Sequence, residues 1–136
     1  MARILCIDYG GKRTGLAVTD PLQIIASALT TVDTKHLISY LKEYFRLEVV
    51  ELILIGEPYN LDGSSTHATN LVHRFIQQLK KEFPSTPIKT LDETFSSKMA
   101  SRAMVEMGMK KKDRRVKGNV DKIAATIMLQ EYLENR

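Results

Sequence analysis

Three acids stand where the chain can deliver them to one place. Asp8 ends the apolar run Ile4–Ile7, with Gly10 and Gly11 close behind. Four consecutive apolar residues read as a strand buried on both faces, and such a strand should not finish on a charge without a reason. Glu93 follows the short run "IKTL" and Asp92. Asp121 lies in the first turn expected for a last helix, beside the inward positions Val120 and Ala124. If the first, fourth and fifth strands are parallel neighbours, Asp8 and Glu93 share the carboxyl edge of the sheet, where α/β folds place their sites. The last helix could bring Asp121 across to them. Three close carboxylates repel and desolvate one another, and a divalent cation removes that penalty. Mg²⁺ or Mn²⁺ suits such oxygen donors. Two ions about 3.5–4 Å apart could activate a water and stabilise the leaving oxygen of a phosphodiester. Singly, each acid has a plainer reading. Asp8 also suits a turn ahead of Gly10, and Asp121 also complements a helix N-terminus.

Other chemistries are poorly supported. His36, His67 and His73 fall on expected helices without cysteine or carboxylate partners at metal-ligand spacing. Cys6 is the only cysteine, which excludes an intrachain disulfide and a cysteine-cluster zinc site, and its mid-strand position reads as a small buried hydrophobe. Asp20 and Asp62 read as turn residues before Pro21 and Gly63. Basic charge is concentrated: "KKKDRRVK", Lys110 to Lys117, holds six of the 20 Lys and Arg residues of a chain with net charge +4. Lys110, Lys111, Lys112, Arg114 and Arg115 are candidate phosphate contacts on a mobile loop, although such a run is also what a solvated loop looks like.

The elements that must position these residues follow from patterning. Strands are expected at Ile4–Asp8, Leu16–Asp20, Ile25–Val32, Val50–Gly56 and "IKTL". "GGKRTG" turns the chain between the first two, with Gly10, Gly11 and Gly15 free to take positive φ. A helix over about Lys35–Leu47, capped by Asp33 or Thr34, puts Leu37, Ile38, Leu41 and Phe45 on one face. A second, about Thr66–Phe83, aligns Ala68, Leu71, Val72, Phe75, Ile76 and Leu79. A third is expected over "SSKMASRAMVEMG", capped by Ser96 or Ser97 and stopped by Gly108. The last, about Asn119–Glu134, turns Val120, Ile123, Ala124, Ile127 and Met128 inward. An antiparallel hairpin followed by βα units implies a mixed sheet with helices on both faces.

At 136 residues and 43% apolar content the chain is expected to form one domain, residues 1–136, with a real core. No run reaches the roughly 20 apolar residues of a membrane span, and the first apolar run is too brief for a signal-peptide core, so a cytoplasmic protein without a membrane partner is expected.

Four segments then carry a family resemblance. "CIDYGGKRTGLAVTD", "IGEPYNLDGSS", "LDETFSSKMA" and "VDKIAATIMLQEYL" occur in order over nearly the whole chain. Together they resemble the bacterial pre-16S ribosomal RNA nucleases, also described as Holliday-junction-resolvase-like proteins, within the ribonuclease H-like superfamily. The resemblance implies a five-stranded mixed sheet of order 3-2-1-4-5 with flanking helices. It implies Asp8, Glu93 and Asp121 as the acidic site, in agreement with the set above. Arg13 falls in the family's basic position of the first turn, and Ser64 and Ser65 in the small polar loop before the second helix, where backbone amides could receive a phosphate. Two departures stand out. The family often has Asp-Glu-Arg where this chain reads Asp92-Glu93-Thr94, so Lys98 or Lys12 would have to supply the missing charge. Glu57 stands where an apolar residue is common.

The implied activity is metal-dependent endonucleolytic hydrolysis of structured RNA, in 5′-end processing of pre-16S ribosomal RNA. A resolvase for branched DNA and a non-catalytic nucleic-acid-binding or transcription-associated factor are the alternatives. "DYGGKRTG" also resembles the first phosphate loop of actin-like and sugar-kinase ATPases, but those need two duplicated domains. A monomer or weak homodimer is expected, since no exposed apolar stripe marks a dimer face.

Overall fold

The computed structural model describes residues 2–57, 66–92 and 117–136, and of residues 117–121 the backbone alone. Five strands form one sheet of order β3-β2-β1-β4-β5. They are β1 Arg3–Asp8, β2 Arg13–Thr19, β3 Ala26–Asp33, β4 Val50–Glu57 and β5 Ile88–Asp92. The first three form an antiparallel meander, and β4 and β5 run parallel to β1. A 3₁₀ turn, Thr34–His36, leads into α1, Leu37–Leu47; α2 spans His67–Glu82 and α3 spans Lys117–Asn135. The mixed sheet of order 3-2-1-4-5 is thus the one expected. The expected helix over Ser96–Gly108, Asp62 and the loop Lys110–Arg115 lie outside the described residues.

Strand alternation sorts the apolar residues into two cores. Leu5, Ile7, Leu16, Val18, Ile53 and Ile55 face α1 and α2, meeting Leu37, Leu41, Val72, Phe75 and Leu79. Ile4, Cys6, Ala17 and Leu54 face the other way and meet Ala125, Met128 and Leu129 of α3. Both faces of β1 and β4 are therefore dry, which is why their sequences read as unbroken apolar runs. Cys6 is fully buried, as expected of a small hydrophobe.

Several boundaries differ from the sequence reading, each for a local reason. β2 begins at Arg13 rather than Leu16, because Thr14 and Gly15 already pair with Val32 and Thr31 of β3. β2 ends at Thr19, and Asp20 closes the turn to β3, as its reading as a turn residue implied, its carboxylate accepting from the backbone N–H groups of Ile24 and Ile25 at 2.8 Å each. These bonds, that from Ile25 foremost, hold its pKa below the ordinary aspartate value. Neither Asp33 nor Thr34 caps α1 with its side chain. In α2 the cap is Thr66, whose hydroxyl accepts from Thr69 N–H at 3.0 Å while Thr66 N–H donates back to Thr69 Oγ1 at 2.9 Å. This reciprocal pair turns Thr69 inward and leaves Ala68 exposed. The final basic residue of "KKKDRRVK", Lys117, is helical rather than part of a loop. Among the described residues no helix is long and apolar enough to cross a membrane.

Candidate active site

The site is built at the carboxyl edge of the central strands. Asp8 is the last residue of β1, half-buried, and shares the face of Ile4 and Cys6, the face α3 covers. Its position is fixed from both sides. Ile7 is fully buried in the core before it, and Tyr9 after it stacks on Phe75 of α2 with ring centroids 4.4 Å apart. Burial raises the Tyr9 phenol above its ordinary pKa, so the ring stays a neutral anchor.

The direction of α3 places its acid. Just past its C-terminus, Arg136 donates to the Oε1 and backbone oxygen of Gln23, at 2.7 and 2.9 Å, in the β2–β3 turn. That turn lies beside the start of β1, where Gln23 also reaches the carbonyl of Ala2. From Asp121 to Arg136 the helix rises about 22 Å, whereas β1 from Arg3 to Asp8 spans only about 17 Å. The backbone of residue 121 therefore lies at the opposite edge, the one carrying Asp8. Because α3 starts at Lys117, Asp121 falls beyond the first turn. The helix macrodipole fades within that turn, so the plainer reading of Asp121 loses its footing.

β5 completes the edge. Its last residue, Asp92, pairs in register with Glu57 at the end of β4. Two strand spacings, about 10 Å, separate β5 from β1. Lys89 and Leu91 of β5 face α3. Glu93, the next position of that alternation, lies outside the described residues, as do Thr94, Lys98, Ser64, Ser65, Lys110, Lys111, Lys112, Arg114 and Arg115. With Glu93 and the Asp121 side chain not among them, no three metal-ligating side chains cluster among the described residues.

Of the basic candidates, Lys12 is exposed in the turn and Arg13 is half-buried at the start of β2. Asp8 pairs with Gly15, so Arg13 is its diagonal neighbour on the same face. Such neighbours lie about 7–8 Å apart, within reach of a long side chain. Arg13 and Asp8 are thus brought to one place.

Two residues that the sequence reading missed hold this turn. Thr34 Oγ1 donates to the Gly10 carbonyl at 2.5 Å, and Thr34 N–H donates to the Lys12 carbonyl at 2.9 Å. With its one proton committed, Thr34 accepts from the Thr14 hydroxyl at 2.9 Å, and Thr14 in turn accepts from Gly10 N–H at 3.4 Å. Thr34 is therefore a clamp on the site loop instead of a helix cap. The glycines also differ from expectation. Neither Gly10 nor Gly11 takes a left-handed φ; Gly10 is required for space, since an added Cβ would lie 2.3 Å from the Arg13 carbonyl oxygen, while at Gly11 nothing lies within 4 Å. Gly10→Ala should therefore cost about 1–3 kcal/mol of stability, as overpacking does, and displace Arg13. Gly11→Ala should be nearly neutral. Thermal melts of the two variants check the pair; equal melting temperatures would show that the turn relaxes freely.

Glu57 is turned the other way. It shares the face of Ile53 and Ile55 and meets His73 of α2, Nε2 to Oε2 at 2.6 Å. A histidine–carboxylate pair thus stands where the family commonly has an apolar residue, and it adds a partner for His73 that lies beyond metal-ligand spacing. The two are 16 residues apart, so spacing could not reveal them. Glu57 is therefore no fourth member of the acidic set.

The comparisons agree with this architecture. The family model described as "RuvX: Holliday junction resolvase" matches residues 2–135. A Flavobacterium psychrophilum protein named "Putative pre-16S rRNA nuclease" is 49% identical over 136 residues, covering 100% of this chain and 99% of that protein. Proteins of the same name from Christiangramia forsetii, 50% identical over 98% of each chain, and Bacteroides thetaiotaomicron, 48% identical over 100% and 99%, are similar throughout. Among solved structures, Thermus thermophilus RuvC in complex with a Holliday junction substrate matches with a TM-score of 0.57 at 16% identity, over 98% of this chain and 94% of that one. That likeness supports the ribonuclease H-like fold. A whole-length family match, close relatives of equal length and the predicted sheet order leave one assignment: the chain belongs to the RuvX family.

Proposed function

We propose that this protein is a nuclease that hydrolyses phosphodiester bonds in structured nucleic acid, with pre-16S ribosomal RNA, at its 5′ end, as substrate. The observation that carries the reading is Asp8: a carboxylate ending a strand buried on both faces, on the face and at the edge where the backbone of residue 121 arrives. The donor set suits a hard cation. Asp8, Glu93 and Asp121 offer only carboxylate oxygens, and no described residue adds a thiolate to them. They would hold Mg²⁺ or Mn²⁺, as two ions, which would lower the pKa of a bound water and offset charge on the leaving oxygen.

The chain's own residues do the rest. Arg13, a diagonal neighbour of Asp8, orients the phosphate, and the Thr14–Thr34 clamp keeps it there. Lys12, exposed in the same turn, contacts a flanking phosphate. At the start of α2 the amides of His67 and Ala68 precede the capped amide of Thr69, so Ser64, Ser65 and this helix end form a second phosphate contact. Lys98 or Lys12 would stand in for the arginine absent at Thr94. Cleavage occurs in the cytoplasm and needs one copy of the chain per cut.

The test is incubation with precursor ribosomal RNA and with a four-way DNA junction, each with Mg²⁺, Mn²⁺ or chelator. Metal-dependent release of a discrete 5′ fragment from the RNA supports the reading. Symmetric cutting of the junction alone would support the resolvase function that the family description names. Binding without cleavage of either would point to a non-catalytic factor.

A further inference from the structure

A groove of about 300 Å³ lies between edge strand β5 and the C-terminal half of α3. Its lining includes the apolar Leu91 and Met128 and the polar Lys89, Asp92, Glu131 and Tyr132, with Arg136, whose guanidinium is committed to Gln23. Lys89 Nζ sits over the Tyr132 ring, 5.3 Å from its centroid. The contact pre-positions an exposed ammonium above an aromatic and apolar surface. Among its lining residues is Asp92, the last residue of β5 and the one before Glu93 in the chain. From there to Lys89 is about 10 Å of strand, which a short length of single strand can follow.

We infer that this groove binds one nucleotide unit of the substrate's single-stranded flank, with its phosphate on Lys89 and its base against Tyr132, Leu91 and Met128. The inference rests on the nuclease reading for its choice of ligand. The volume sits at the lower end of the roughly 300–1,000 Å³ of small-molecule sites, so a single nucleotide fits and a duplex does not. Glu131 and Asp92 repel the charge of an acidic peptide and of a phosphate alike, but an acidic peptide's side chains bring them no donors in return. The two carboxylates match the amino and sugar hydroxyl donors of a nucleotide. An aromatic ring beside a cation is also how single strands are held without regard to sequence.

The test uses the full chain in chelator, so that nothing is cut. A short fluorescein-labelled single-stranded oligoribonucleotide, a blunt duplex of equal length and adenosine monophosphate are titrated separately. Lys89→Ala should weaken the single strand about fivefold and lower the slope of log affinity against log salt by about 0.7, one phosphate contact. Tyr132→Leu should weaken it about tenfold, and Tyr132→Phe should restore it. The duplex should respond to none of these. Lys89 is exposed, so its variant folds even if Tyr132→Leu does not. In the presence of metal, Lys89→Ala should raise KM, with kcat held, only on substrates carrying a single-stranded flank. Unchanged affinity and slope in Lys89→Ala would overturn the proposal. So would adenosine monophosphate binding as tightly as the oligomer, since the groove would then serve a free nucleotide. If the wild-type chain cuts nothing with metal, the nuclease reading fails, and the titrations in chelator still judge the groove.

Discussion

Asp8→Asn is expected to abolish metal-dependent cleavage while leaving the fold intact. The substitution is nearly isosteric, and Asp8 is held between a buried Ile7 and a stacked Tyr9 that do not depend on its charge. What disappears is the negative oxygen that would share a cation with Glu93 and Asp121. Loss of an outer-shell partner typically costs about 10–100-fold, so loss of a ligand should exceed a hundredfold. Without metal, and with the three carboxylates converging as proposed, the neutral amide would also relieve repulsion among them. Melting temperature in chelator should therefore stay level or rise. The stabilisation that Mg²⁺ or Mn²⁺ gives the wild type, as any ligand of the folded state does, should shrink. Cleavage of end-labelled RNA and melts with and without metal read both effects. Full activity with a wild-type metal response would remove Asp8 from the site.

What could be read beforehand follows a physical line. β1 and β4 were legible because both of their faces are dry, so burial is written as an unbroken apolar run. Asp8 was legible for the same reason, as a charge at the end of such a run. The clamp on the turn behind it was not. Thr14 and Thr34 are 20 residues apart and meet only because β2 pairs with β3. Thr34 looked like a helix cap because cap chemistry and turn chemistry use the same hydroxyl. In α3 the apolar positions run nearly all round, so periodicity named Ala124 and Met128 but missed Ala125 and Leu129, all of them buried. Pairs set by tertiary packing, Glu57 with His73 and Lys89 with Tyr132, carry no spacing signal at all. Arg13 came from family resemblance, and strand register then placed it beside Asp8.

Replacing Lys110, Lys111, Lys112, Arg114 and Arg115 together by serine should produce the largest change in substrate affinity. In sequence these residues directly precede α3, whose start lies toward the edge that carries Asp8. Arg115 is two positions before Lys117, where the helix begins, so an extended chain keeps it within about 7 Å of that residue. Lys110 is kept within about 25 Å by the same bound. If all five contact phosphates, the slope of log affinity against log salt should flatten by about 3.5–4.5. Between 0.05 and 0.2 M salt, the wild type should then lose about a hundredfold to five-hundredfold more affinity than the variant. Metal binding should hardly change, because none of the five is an oxygen donor; calorimetric titration with Mn²⁺ checks this. Fluorescence anisotropy on an Asp8→Asn background gives the slopes without cleavage. A slope that falls by about one or less would mean that the run is only solvated. Arg13→Gln and Lys12→Gln, each lowering the slope by about one contact's worth, would then mark the first turn as the principal phosphate grip.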